Sequence, residues 1–297
     1  MTLLSGEAGP AAAAFDPDAD LGPLAAAADG VGRALRDVRR LGVAYSGGVD
    51  SALLLALAVR SLGPGRVLAV LGVSPSLAAD ERVAAHRTAA FIGDPVVEVV
   101  TAEGEREAYR ANGPDRCYHC KDELFTRVDA ELVARHELDA VAYGENADDA
   151  RRPDRPGARA ATEHGVLRPL ADAGLTKADV RALARALRLP CADKPAAPCL
   201  ASRIPHFDRV DPEKLAQVER AEAALRALGL ADSRVRHHGD VARVELLPPD
   251  LPRAVAEPLR AALLAAVRGA GFRFVAVDLA GIQSGAFTLP LVARADG

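Results

Sequence analysis

Four short aliphatic runs, each followed by a stretch of helical composition, constrain this chain more than any other feature. Leu41–Ser46 (LGVAYS) breaks into glycines, Arg66–Val73 and the valine-rich Pro95–Thr101 follow, and Asp139–Tyr143 is the fourth. Ser51–Leu62, Ala79–Ile92 and Asp122–His136 read as helices between them. Thr176 opens another, with Asp179 three residues on as in a capping box and Val180, Leu183, Ala184 and Leu187 on one face. Strands that are apolar throughout are buried on both faces. The alternation therefore predicts an α/β fold, a parallel sheet covered by helices.

From about Pro205 the pattern changes. Asp211-Pro212 caps a helix with proline at its first position, and that helix runs to about Leu228 before Gly229. Arg234–His237 and Val241–Leu246 read as strands around the turn signal Gly239-Asp240. A helix over Pro258–Arg268 and a strand over Arg273–Leu279 complete the series. The expected organisation is a flexible extension over 1–28, an α/β domain over 29–204 and a smaller α+β domain over 205–297.

With 297 residues, 49% of them hydrophobic, there is material for one large core or two smaller ones. The net charge of −4 gives no global field for a nucleic-acid backbone. No run of about 18 apolar residues is present, so no membrane span is expected. The first 28 residues lack the basic-then-apolar order of a secretory signal, and the chain reads as cytoplasmic. In a reducing compartment its four cysteines, Cys117, Cys120, Cys191 and Cys199, point to metal binding or catalysis rather than to a disulfide frame.

Ser46-Gly47-Gly48-Val49-Asp50-Ser51 lies between the first strand and its helix. Glycines there let the backbone approach a phosphate, and N–H groups and hydroxyls at the helix start donate to its oxygens. Asp50 can hold the Mg²⁺ that bridges them. There is no lysine in the loop, which separates it from loops that grip β and γ phosphates. An ordinary glycine turn is the competing explanation. The hexapeptide resembles the PP-loop family, whose members cleave ATP between the α and β phosphates. Gly144-Glu145-Asn146-Ala147-Asp148-Asp149, after the fourth strand, resembles a second segment of that family, with Glu145 where a Thr is usual. By that resemblance Asn146, Asp148 and Asp149 face the nucleotide or its metal, and Ser74, ending the second strand, lies where adenine is seated.

Cys117-Tyr118-His119-Cys120 is expected just before a helix, and Pro198-Cys199-Leu200-Ala201-Ser202-Arg203 ends the α/β unit. A structural zinc knuckle would use the same residues, and buried cysteines behaving as small hydrophobes are a further option, the preferred one for Cys191. Arg203 offers Cys199 a positive neighbourhood. On the helix from Asp211, Glu222 falls inside the apolar stripe of Leu215, Val218 and Leu225, either paired or reaching water at the helix edge. Arg234 and Arg236 share one strand face, which suits a phosphate or simply solvent.

Cys117-x-x-Cys120-Lys121, Pro198–Pro205 (PCLASRIP), Gln217–Ala221 (QVERA) and Arg234–His238 (RVRHH) together resemble the ATP-dependent sulfur transferases that make the nickel-pincer nucleotide of lactate racemase, the LarE family. The resemblance runs from about Arg40 to the C-terminus. It implies adenylylation of a pyridinium biscarboxylate mononucleotide on a carboxylate, followed by displacement of AMP by sulfur. It also implies catalytic Cys199, Cys117 and Cys120, which either hold a [4Fe–4S] cluster, the favoured form, or leave Cys199 as a sacrificed sulfur donor. Ser202, Arg203, Arg234 and Arg236 would bind phosphate, and Glu222 with Glu245 a metal. ATP and Mg²⁺ are the further requirements, with a homo-oligomer such as a hexamer as the assembly.

A PP-loop tRNA thiolase shares the cysteines but predicts a basic surface, which the acidic balance opposes. A non-catalytic Fe–S or zinc scaffold would need the cysteines but not Ser46–Ser51 or Asn146–Asp149. An amidating synthetase would give the cysteines no task.

Overall fold

The computed structural model describes residues 15–152, 155–196 and 198–283. The four aliphatic runs become parallel strands β1 (Leu41–Ala44), β2 (Val67–Val73), β3 (Val96–Val100) and β4 (Ala140–Tyr143), in the order β3-β2-β1-β4. β1 lies between two neighbours, with Leu41 opposite both Val67 and Ala140. Burial on both faces explains why these strands carry no polar alternation. The helix after β1, α2 (Val49–Leu62), is apolar nearly all round because it too is enclosed: residues Ala52 to Ala58 are buried without exception.

Helix α1 (Ala25–Leu35) packs on α2, with Val31 and Leu35 fully buried. Of the expected flexible extension, residues 1–14 lie outside the described residues. The rest is packed: Phe15 N–H donates to Phe91 O, and Leu21 and Ala28 are in the main core. Its alanines serve as helix formers, which composition alone did not reveal. Helix α3 (Ala79–Ile92) ends at Gly93, whose φ of 88° makes the left-handed stop that favours glycine.

The helix expected over Asp122–His136 starts earlier, at Arg116, and runs to Val128 before a wider turn of π type over Asp129–Val133. The cysteine pair therefore belongs to the helix rather than preceding it. A further helix, Pro156–Glu163, lies against it. The capping box at Thr176 is present in full and starts the helix Lys177–Ala186.

In the C-terminal part, Asp211 caps the helix Pro212–Ala227 through the Lys214 N–H. β5 (Ser233–His238) and β6 (Val241–Leu246) form an antiparallel hairpin turning at Gly239, and β7 (Phe274–Val277) adds parallel to β6. Helices Pro212–Ala227 and Leu259–Gly269 contact each other and pack into the same core as this sheet, a core built around Val218, Leu225, Val235, Val244 and Val267. Leu200, Ala201 and Ile204, which precede the expected boundary at Pro205, pack in that second core. Among the described residues, no helix is long and apolar enough to cross a membrane.

The two cores are joined directly. Leu200 N–H donates to Ser76 O at 2.9 Å, Ala79 N–H to the Glu219 carboxylate at 2.6 Å, and Arg226 pairs with Asp80 at 3.1 Å. Tyr109, from the first part of the chain, is buried in the second core. The junction thus lies beside the ends of β2 and β3, at the carboxyl edge where α/β sheets bind ligands.

Candidate functional site

The loop between β1 and α2 is shaped by its glycines. Gly47 has φ +73°, and a Cβ there would stand 2.7 Å from the Ala85 Cβ. Gly48 is the N-cap of α2 and supplies no side chain to satisfy the first-turn N–H groups, which is the arrangement an anion uses. Ser51 Oγ donates to Gly48 O at 3.0 Å and accepts Ser46 N–H at 3.2 Å, holding the loop closed on itself. Gly144, after β4, lies so close that a Cβ would be 2.6 Å from Ser51 N, which brings the second acidic segment onto the loop.

Asp50 is where the two segments meet. One of its oxygens accepts from Asn146 Nδ2 at 3.0 Å and the other from the Lys177 ammonium. Asn146 also caps its own short helix by accepting Asp149 N–H at 3.0 Å. Asp148 accepts Lys177 N–H at 2.8 Å, and Asp149 pairs with Arg155. The loop contains no lysine, yet Lys177 brings one to it from a distant helix start. The capping box at Thr176 was the available signal, since it fixes the residue that follows at the head of a helix. Mg²⁺ commonly uses one or two carboxylates plus phosphate oxygens, and the Asp50 carboxylate is the donor type that fits.

Cys117 and Cys120, three apart in the first turns of helix Arg116–Val128, are near neighbours on that helix. Cys199 is the N-cap of a single 3₁₀ turn, Leu200–Arg203. Cys117 and Cys199 reach solvent, Cys120 is half-buried, and Cys191 is enclosed in the main core as the sequence indicated. Burial pushes the Cys120 thiol well up, and Glu103, Cys199 and Cys117 push it the same way. The Cys199 thiol is raised by the protein crowded around it, with Arg116 pulling it down and Cys117 up. These mutual influences place the three thiols in one electrostatic neighbourhood.

Arg116 is the cation of that neighbourhood, and sequence reasoning missed it. Its guanidinium is buried, donating to Ala201 O at 2.9 Å and to Asn112 Oδ1 at 2.5 Å. Burial opposes its charge, but Cys199 and Cys117 hold its pKa above the ordinary value. Arg203, expected in this role, lowers the Cys199 thiol less than Arg116 does. Three thiolates are the donor type that an iron–sulfur cluster with one open iron takes. Among the described residues, no three His, Cys, Asp or Glu side chains form a group that could hold a metal ion.

Arg203 grips Glu222 through two bonds of 2.8 and 3.1 Å and donates to Pro198 O and Ser202 Oγ. Glu222 also accepts Val235 N–H at 2.9 Å, so its place inside the helix stripe reflects pairing rather than solvent. Glu245 is buried against Arg236 at 2.7 Å and Arg243 at 3.1 Å. Each carboxylate named as a metal ligand thus faces guanidinium groups. Arg234 and Arg236 do share a face, both donating to Gln283 O. Burial lowers the Arg234 pKa, and the neighbouring Arg203 and Arg236 lower it further. Three clustered guanidiniums disfavour one another and favour an anion. Ser202 O accepts from Arg236 at 2.9 Å, which ties this cluster to the Cys199 turn.

Ser74 donates to the buried Glu103 and accepts Ser76 N–H at 3.2 Å. It also lines a cleft of about 730 Å³ with Val73, Leu77, Arg82 and Glu219, between α3 and the second core.

Comparison with known proteins agrees with this layout. A sequence profile of the asparagine synthase family matches residues 25–136, the part holding the phosphate loop. The uncharacterized protein slr1717 of Synechocystis sp. is 41% identical over 243 residues, 82% of this chain and 90% of that protein. The uncharacterized protein MJ0830 of Methanocaldococcus jannaschii is 30% identical over 168 residues, 57% of this chain and 64% of its own length. The pyridinium-3,5-bisthiocarboxylic acid mononucleotide synthase of Lactiplantibacillus plantarum is 34% identical over 252 residues, 85% of this chain and 90% of the enzyme. On that match, with an ATP-type loop and a thiol site on the same scaffold, the chain belongs to the family of that synthase.

Proposed function

We propose that this protein is an ATP-dependent sulfur transferase that converts a carboxylate of a pyridinium-3,5-biscarboxylic acid mononucleotide into a thiocarboxylate. What supports this reading is that Cys117, Cys120 and Cys199 bear electrostatically on one another or on buried Arg116, in a chain that also carries the glycine loop and the guanidinium cluster tied to the Cys199 turn.

A free carboxylate resists sulfur because it would have to expel oxide. In the proposed reaction a carboxylate oxygen attacks the α phosphorus of ATP, pyrophosphate leaves, and the acyl group acquires AMP as a leaving group. Sulfur then bonds to the acyl carbon and AMP departs with the electron pair of the broken C–O bond. Ser46, Gly47, Gly48 and Ser51 are suited to the phosphates. Asp50 is suited to the Mg²⁺ that bridges them, and Lys177 to the charge that develops as pyrophosphate separates. Asn146, Asp148 and Asp149 orient Asp50 and Lys177. Arg203, Arg234, Arg236 and Ser202 form the seat for the substrate's own phosphate. Cys117, Cys120 and Cys199 would hold a [4Fe–4S] cluster, whose open iron supplies sulfide for the transfer. The reading carries with it a cytoplasmic homo-oligomer with no nucleic-acid partner.

Pyrophosphate release that requires both ATP and the mononucleotide tests the first half. Iron and acid-labile sulfide on anaerobically purified protein, beside Cys199→Ala, test the second: about four irons per chain, lost in the variant, are expected. Absence of iron after reconstitution, with intact Cys199 losing the mass of H₂S on turnover, would replace the cluster by sacrifice of that cysteine. No pyrophosphate under any condition would sink the enzyme reading and leave a scaffold.

A further inference from the structure

Among the described residues, four carboxylates keep a buried oxygen with no hydrogen-bond partner: Asp94, Glu103, Glu145 and Glu245. Glu145 and Glu245 face guanidinium groups, Arg168 at 3.7 Å and Arg243 at 3.1 Å. Asp94 lies just before β3, at the amino edge of the sheet, away from every loop discussed above. Glu103 is different. It opens a one-turn helix, Glu103–Glu105, directly after the carboxyl end of β3, and it is 2% exposed. Its Oε1 accepts the Ser74 hydroxyl, its Oε2 has no hydrogen-bond partner, and no ion pair to it is found among the described residues.

The surroundings of Glu103 are those of the thiol site. Its charge bears on Cys120 and on Tyr109. The Tyr109 hydroxyl shares a hydrogen bond with Ser76 Oγ, and Ser76 O accepts from Leu200, the residue after Cys199. A buried carboxylate with a spare oxygen and no cation is costly to keep unless a ligand supplies positive charge. ATP brings no cation to it: its phosphates repel a carboxylate, and its adenine amino group offers a hydrogen bond but no charge. A pyridinium ring can. Its charge is permanent, and it has no N–H with which to share it, so only an anion or an aromatic face can answer it.

We propose that Glu103 receives the ring of the substrate and makes the site select a pyridinium over a neutral ring of the same shape. This rests on the substrate reading above and adds to it the residue that senses the ring's charge. In this reading the phosphate of the substrate is held at Arg203, Arg234 and Arg236, and Glu103 answers the charge of its ring.

The test uses two probes: nicotinic acid mononucleotide, a pyridinium carboxylate mononucleotide, and its reduced 1,4-dihydropyridine form, which keeps the shape and loses the charge. Calorimetry on the full chain is expected to show a preference of about tenfold or more for the oxidised probe. Glu103→Gln, which can still accept from Ser74, loses most of that preference, while ATP affinity and the melting temperature change little. Glu103→Asp keeps the charge and retains it. Unchanged preference in Glu103→Gln overturns the inference alone, as does loss of ATP affinity in its place, which would assign Glu103 to the adenosine. Loss of preference in both variants overturns charge as the cause. Wild-type protein that binds neither mononucleotide overturns the substrate reading and this inference with it.

Discussion

Lys177 shows what a single side chain contributes once the fold has placed it. Its ammonium on Asp50 is the cation nearest the phosphate loop among the contacts described, so Lys177→Ala should slow pyrophosphate release by roughly 10²-fold. The protein should still fold, because Lys177 is not in the core, and ATP affinity should fall less than the rate. Steady-state kinetics beside a binding titration check this. Asp94 makes the opposite case, a residue that weakens the structure. Burial raises its carboxyl from 3.8 to about 6. The folded protein therefore holds that proton more tightly than the unfolded chain. The stability present below pH 4 is lost as pH climbs through about 6 and does not return above it. Asp94→Asn should remove this loss and stabilise the protein by roughly 1–2 kcal/mol at pH 8 and by almost nothing at pH 4. Denaturant unfolding at the two pH values measures the difference.

At the scale of elements, the positions that matter are the starts of helices. α2 leaves its first N–H groups without a side-chain cap, Arg116–Val128 presents two cysteines, the N-cap of Leu200–Arg203 is a third, and Lys177–Ala186 presents the ammonium. Thr176→Ala breaks the capping box and should cost about 1 kcal/mol. It should also lower turnover, because the cap fixes Lys177, whereas a capping change at Asp211 of similar cost should leave turnover alone. Thermal melts with activity on the same samples distinguish the two. Capping at Thr176 and Asp211 was legible because the side chains that cap are local in sequence. The start at Arg116 was not legible. Asp115 makes no side-chain cap there, and the helix is anchored instead by a guanidinium reaching Ala201 from the other end of the chain.

For the whole molecule, period and apolarity sufficed to read the parallel sheet and the smaller α+β part, since both follow from nearest-neighbour patterns. What sequence could not reveal was the seam. Asn112 has φ 57° and is fully buried, and its amide donates to Pro205 O at 2.7 Å and Asp208 O at 2.9 Å while its oxygen takes Arg116. No local signal marks an asparagine that does this. Asn112→Ala leaves two carbonyls and a guanidinium short of partners and should cost roughly 2–4 kcal/mol. Under the proposed cluster route, the same variant should lose iron before it loses its fold, as iron content along a urea series would record.

The spacing of the three cysteines along the chain sets an order of events during synthesis. Cys117 and Cys120 emerge first, but the core against which Cys120 packs also takes Leu200, Ala201 and Ile204 of the Cys199 turn and is completed only by β5, β6 and the helix Leu259–Gly269. Domains fold from the N-terminus as the chain leaves the ribosome. A nascent chain therefore offers two of these thiols through the middle of its translation, and the third in its packed turn only near release. Under the proposed cluster route, loading becomes a late checkpoint: only a chain that has finished translation and closed its seam can be charged, so truncated products stay inert.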